Sequence, residues 1–176
     1  MREFDVSVTE LNQFGKELLR SDKIYLTGTV YTARDAAHMR LAAMLDRGEE
    51  LPFDPAGAVI YYVGPSPTRP DGQIGSFGPT TSSRMDRFAP RLYDLGLSAT
   101  VGKGDRSREV IDAIIRNSAL YLCAGGGFGA LISRSVRKIE VIAFPELGCE
   151  SIKKLEVERL PLIVGIDSGG GSVFDR

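Results

Sequence analysis

From residue 23 to residue 144 the chain alternates between short β-branched runs and stretches of helical apolar period, and this alternation restricts its fold more than any other feature. Strand character marks residues 23–31, 58–63, 99–102, 118–124 and 138–144. Between them, a helix over 33–46 carries Ala37, Leu41, Met44 and Leu45 on one stripe and closes at Gly48. A helix over 107–117 turns Val110, Ile111, Ile114 and Ile115 inward. Residues 73–86 read as a short strand turning into a helix, and a glycine-rich turn after 124 leads into a helix ending near 137. Strands separated by helices lie parallel when each helix crosses back over the sheet, so the central sheet is expected to be largely parallel. The ends are strand-rich. Residues 2–8 alternate like a strand, with Leu11, Phe14, Leu18 and Leu19 following at helical spacing, and 161–167 and 172–175 read as antiparallel additions. No repeat or linker divides the chain, so one α/β domain over residues 1–176 is expected.

A chain of 176 residues buries about 70% of its unfolded surface, enough for a core without a metal or disulfide staple. Its 22 basic and 23 acidic residues leave a net charge of -1, so no global field draws in nucleic acid or an anionic membrane. An anionic ligand must be met by cations placed locally. No stretch approaches the ~18 apolar residues of a transmembrane helix, and the opening MREFDVSV lacks a signal-peptide pattern, which points to a cytoplasmic protein. Cys123 and Cys149 are the only cysteines and His38 the only histidine, whereas a closed zinc or iron–sulfur site takes three or four such groups. Any metal chemistry must borrow its ligands. Cys123, in the apolar run 119–124, reads as a buried thiol, and Cys149 follows Gly148 in a loop.

Polar turns follow several strands, which is where open α/β sheets place their ligands. In the first, Thr32 and Asp35 have the spacing of a capping box, while Arg34 opposes the helix dipole and so calls for an anionic partner, either a ligand or a carboxylate of the fold. His38 shares the face of Arg34. In the second, 78–84, Thr80, Thr81 and Arg84 converge if a helix begins there, and N-capping accounts for only one of the hydroxyls. In the third, Lys103 stands between Gly102 and Gly104 without the Walker spacing of an ATP loop. The turn 125–130 satisfies G-x-G-x-x-A with Glu146 about twenty residues on, which keeps a dinucleotide-binding protein as an alternative. Its late place in the chain favours close helix-to-sheet packing instead. The Gly/Pro/Ser-rich stretch 64–72 is a functional loop or a connector.

Taken in order, Tyr25-Leu26-Thr27-Gly28, Tyr31-Thr32-Ala33-Arg34-Asp35-Ala36-Ala37-His38, Tyr61-Tyr62-Val63-Gly64-Pro65, Ile74-Gly75-Ser76, Gly78-Pro79-Thr80-Thr81-Ser82 with Arg84-Met85-Asp86, Gly102-Lys103-Gly104 and Phe144-Pro145-Glu146-Leu147-Gly148 resemble the β subunit of iron-dependent class I fumarases and L-tartrate dehydratases. The same module is the C-terminal domain where the two halves are fused. The resemblance covers roughly residues 20–165. Phe77 departs from it, standing where a small residue is usual and able to alter the pocket wall, as does Cys149, where methionine or alanine is common. It implies a swivelling β/β/α domain, with a parallel central sheet, a second sheet and helices. It also implies a partner α subunit whose three cysteines hold a four-iron four-sulfur (4Fe-4S) cluster with one open iron, in a heterotetramer. The reaction implied is reversible hydration of fumarate to malate, or dehydration of L-tartrate. Arg34 and Arg84 match arginines that grip the carboxylates of a small dicarboxylate substrate. Thr80 and Thr81 match paired threonines, Thr80 being the candidate to abstract the C3 proton, and Lys103 matches a lysine that stabilises the aci-carboxylate. Asp35 and His38 are expected to orient Arg34. The alternative from another class is a stand-alone dicarboxylate-binding module.

Overall fold

Alternate side chains of each central strand enter different apolar layers, which is why those strands are hydrophobic throughout rather than on one face. In β3 (Val59–Tyr61), Val59 and Tyr61 join one cluster while Ile60 and the following Tyr62 join the other. The computed structural model describes residues 1–125 and 129–175. The strands β1 (Glu3–Ser7), β2 (Lys23–Thr32), β3, β4 (Ala99–Gly102) and β5 (Leu120–Cys123) are parallel neighbours in that order. The antiparallel part is built by β6 (Val136–Ala143) and the long β7 (Ile152–Ile166), which pairs with β6, with β5 and along almost all of β2. The β2–β7 pairing closes β2, β3, β4, β5 and β7 into a ring. The inner cluster, including Val30, Val101, Leu122 and Leu162, fills one side of that ring. The outer cluster lies under α2 (Asp35–Asp46), α3 (Ala89–Asp94) and α4 (Arg108–Arg116). Ser107 caps α4, its hydroxyl accepting from the Val110 N–H.

Several local expectations change. The first helix is only α1 (Leu11–Phe14) between two 3-10 turns, and of the expected stripe Leu18 is buried while Leu19 is 54% exposed. Ile115 is likewise exposed. Thr32 does not cap α2; it ends β2, its hydroxyl accepting from the Lys153 N–H, and the cap position falls to Arg34. Residues 74–76 form no strand, and a 3-10 turn (Ser82–Met85) stands where a helix was expected after Thr80. Phe77 lies in the inner core at 2% exposure, its carbonyl accepting from the Tyr61 hydroxyl, so it is core and not a pocket wall. Strand β7 begins nine residues before Pro161. In the glycine-rich turn, Gly126, Gly127 and Phe128 lie outside the described residues, and α5 (Gly129–Ser135) follows them.

Candidate active site

Three parallel neighbours, β2, β3 and β4, end side by side, and the segments beyond them carry the candidate residues. Arg34 and Asp35 follow β2, Lys103 follows β4, and Thr80, Thr81 and Arg84 come at the return of the loop that leaves β3. Backbone hydrogen bonds lock these exits together. Ala33 N–H donates to the Tyr61 carbonyl (3.1 Å), Thr80 N–H to that of Tyr62 (2.7 Å) and Ser82 N–H to that of Lys103 (2.9 Å). Thr81 and Lys103 bridge in parallel register. Residues distant in sequence therefore share one sheet edge, the C-terminal edge favoured for ligands in α/β folds.

The two arginines differ. Arg84 donates from Nε to Asp35 Oδ1 at 3.1 Å, and its Nη2 lies 3.0 Å from Oδ2 in an ion pair that gives Oδ2 no hydrogen bond. Arg34 has no such partner. Its nearest carboxylates, Glu150 and Asp35, stand 3.9 Å away, and its Nε is buried without a hydrogen bond. A side chain at position 64 would press on Arg34, since a Cβ on Gly64 would stand 3.0 Å from both Cδ and Nη1. Gly64 thus lets the guanidinium lie against the backbone of the β3 exit. A buried donor left unused costs about 1–3 kcal/mol, so the fold holds Arg34 where another acceptor would satisfy it. Carboxylates of the fold pair with both arginines, Arg84 at 3.0 Å and Arg34 only at 3.9 Å, which leaves the Arg34 Nε without a hydrogen bond.

Asp35 lies between the two arginines, 3.0 Å from Arg84 and 3.9 Å from Arg34. His38 contacts Arg34 at the main chain: the Arg34 carbonyl accepts from both the backbone N–H and the ring Nδ1 of His38, each at 2.8 Å. With Nδ1 donating, Nε2 is left as an acceptor, buried and unpartnered. Burial drives the imidazole pKa down to about 4, against the opposing hydrogen bond to Arg34, so the ring is neutral at pH 7. Thr80 is half-buried, and Thr81, Arg84 and Lys103 are exposed. Among the described residues, the Thr80 and Thr81 hydroxyls and the Lys103 ammonium have no hydrogen-bond or ion-pair partner. Only a short 3-10 turn stands behind the threonines, so no helix dipole adds to the positive charge of Arg84 and Lys103 there.

The sequence pattern does not single out Gly64, Glu150, Lys153 or Tyr121. The segment Phe144–Gly148 pointed to their neighbourhood: the turn Pro145–Glu150 packs on the start of α2, with Glu150 beside Arg34, and the Lys153 ammonium donates to the carbonyls of Gly148, Cys149 and Ser151 at 3.2–3.3 Å. Nothing in the spacing marks Tyr121, which reads as a core tyrosine.

Among the described residues, no three His, Cys, Asp or Glu side chains gather as a metal site requires. Burial pushes the Cys123 thiol up, away from the thiolate that binds iron, and Cys149 is exposed on the turn Pro145–Glu150. The residues present do not fit an iron–sulfur cluster.

A family model described as "Fumarase C-terminus" matches residues 2–176. The chain belongs to this family. Among fumarase C-terminus relatives, the anaerobic class I fumarate hydratase of Escherichia coli (strain K12) is 38% identical over 95% of the chain, which covers 32% of that protein. The putative L(+)-tartrate dehydratase subunit beta of Methanocaldococcus jannaschii is 39% identical, with 92% of this chain and 86% of the relative aligned. The L(+)-tartrate dehydratase subunit beta of E. coli is 35% identical, with 87% and 77% aligned. The chain spans about a third of the length of the fumarate hydratases it matches.

Proposed function

We propose that this chain is the β half of a two-subunit iron–sulfur hydro-lyase that hydrates fumarate to malate reversibly in the cytoplasm. The observation that carries this reading is the Arg34 guanidinium, held half-buried with an unused Nε on the same sheet edge as Arg84, Thr80, Thr81 and Lys103. A dicarboxylate supplies the acceptors that this arrangement lacks: Arg34 takes one carboxylate and Arg84, braced by Asp35, takes the other. In the dehydration direction the Thr80 oxygen, with Thr81 beside it, receives the C3 proton. The electron pair left behind moves into the adjacent carboxylate, where Lys103 meets the added charge, and returns to form the double bond as the C2 hydroxyl leaves, to be released as water with the proton held at Thr80. A hydroxyl is a weak base, so the step requires the neighbouring cations and a site closed to water. The partner α subunit closes it, in a heterotetramer, and holds the 4Fe-4S cluster that this chain has no ligands for.

L-tartrate is the second substrate reading. The two relatives that this chain nearly spans carry that name, while the fumarate hydratases share comparable identity over a third of their length. Co-purification with the partner, followed by anaerobic assay on malate, fumarate and the tartrates, separates them. Turnover of fumarate and malate well above that of any tartrate supports the first reading, and the reverse order supports the second. A complex that turns over none of them overturns both.

A further inference from the structure

The threonine turn and the lysine turn leave different strands, and beside the direct bond from Ser82 N–H to the Lys103 carbonyl a further polar link beneath them comes from a third strand. Tyr121 sits in β5 with its ring in the outer cluster and its hydroxyl between the two turns, 2.8 Å from Ser82 Oγ and 2.8 Å from the Gly104 carbonyl. A carbonyl only accepts, so the Tyr121 O–H donates to Gly104, and the Ser82 hydroxyl must then donate to the Tyr121 oxygen. The chain of hydrogen bonds therefore has one direction, from Ser82 through Tyr121 to Gly104. It is sealed from solvent on the serine side, where Ser82 is fully buried. Ser82 fits there because residue 102 is glycine; a Cβ at that position would collide with Ser82 Oγ and press Tyr62.

A second tie runs alongside. The buried Arg106, two residues past Gly104, donates through Nε to Asp86 at 2.7 Å, through Nη1 to Thr100 and through Nη2 to Tyr62, and its guanidinium lies 4.8 Å from the centre of the Tyr121 ring. Asp86 follows the turn that holds Ser82, and its other oxygen accepts from Ser107 N–H. Burial opposes the charge of Arg106, but the Asp86 carboxylate and the hydrogen bonds that the guanidinium donates to Thr100 and Tyr62 keep it a cation. It keeps the Tyr121 ring in place.

We infer that the Tyr121 hydroxyl is a positioning group that, added to the direct bond from Ser82 N–H to the Lys103 carbonyl, fixes the distance between Thr80 and Lys103. This rests on the hydro-lyase reading above, in which those two residues act on neighbouring atoms of one substrate. Arg34 and Arg84 lie outside this link, Arg34 tied through its carbonyl to His38 and Arg84 paired with Asp35, so loss of the hydroxyl misplaces the proton acceptor and the charge-stabilising lysine while leaving the carboxylate grip. Small misplacements of reacting groups cost up to about 10²-fold in rate.

The test is Tyr121→Phe, Ser82→Ala and Thr80→Val in the assembled, anaerobically purified complex, each with kcat, KM and melting temperature measured. Tyr121→Phe is expected to lower kcat about 10- to 100-fold with KM changed less than about threefold. Ser82→Ala, which leaves the Tyr121–Gly104 bond, is expected to lower it less, and the double variant to add little beyond Tyr121→Phe. Full kcat in Tyr121→Phe, or a loss matched by the loss of folded complex, overturns the inference. If Tyr121→Phe does not assemble, Ser82→Ala decides: a lowered kcat with unchanged melting supports positioning, and an unchanged kcat overturns it. Full turnover in Thr80→Val removes the hydro-lyase site itself, whereas an inactive Thr80→Val beside a fully active Tyr121→Phe removes only the role of Tyr121.

Discussion

Arg34 keeps a buried donor without a hydrogen-bond acceptor, and its proposed role in gripping a carboxylate rests on that single atom. In Arg34→Met the charge-assisted bonds to substrate are lost, so kcat/KM of the assembled enzyme is expected to fall about 10²-fold or more. The melting temperature should hold or rise slightly, because the orphaned donor is removed with the charge. Unfolding of the variant, with activity per folded molecule unchanged, would show Arg34 to be structural after all. His38 gives a second expectation at this scale. Its folded pKa is about 4 against 6.5 in the unfolded chain, so between those values the unfolded state binds the extra proton. The contribution of the neutral ring to stability is complete above pH about 6.5 and is lost as the pH falls toward 4, at up to about 1.4 kcal/mol per pH unit. His38→Asn keeps a short donor toward the Arg34 carbonyl and removes the titration. Urea midpoints measured from pH 7 to pH 4 should therefore fall less steeply in the variant than in the parent; parallel curves would mean that His38 does not titrate in this way.

At the scale of elements, the central strands and the helices that cross them were legible because burial on both faces leaves continuous β-branched runs that punctuate helical period. Strand β7 was only half legible. Lys153, Lys154, Glu156, Glu158 and Arg159 interrupt its apolar pattern, and Pro161 reads as a strand start rather than a strand interior. The structure accounts for both. Around Pro161, β7 has left β6 and not yet reached β5, so it is paired along one edge alone and the missing N–H is tolerated. Lys153 is buried because carbonyls of the turn before β7 surround its ammonium, a local arrangement that no periodicity encodes. The site residues were legible as types at strand ends, but not their partners, since Gly64, Glu150 and Tyr121 approach through the fold and not through spacing. Lys153→Met tests the turn as an element. With the Gly148, Cys149 and Ser151 carbonyls losing this donor, the variant is expected to lose about 1–3 kcal/mol in urea unfolding. The Pro145–Glu150 segment should also be cleaved faster by a broad-specificity protease. Unchanged stability and cleavage would mean that the turn is held by its own backbone.

At the scale of the whole molecule, the surface question is which face meets another chain. The outer edges of β1 and β6 are open for strand pairing, but they carry Glu3, Asp5, Arg137, Lys138 and Glu140, charges that discourage edge-to-edge association. The site face differs, with Thr81, Arg84 and Lys103 exposed on it and Arg34 half-covered. In water, screening weakens an arginine–carboxylate contact, and an open threonine cannot act as a base, so this chain alone is expected to show no hydratase activity. A cluster-loaded partner added under anaerobic conditions should restore turnover, and hydrogen exchange should slow in residues 34–40, 80–86 and 103–106 as the partner covers them. The edges of β1 and β6 should exchange at unchanged rates. Slowing confined to those edges would place the partner elsewhere and leave the site open to water, a geometry in which Thr80 has no means of becoming a base. Malate dehydration by the isolated chain would likewise overturn the division of labour, since every residue needed would then lie within this one face.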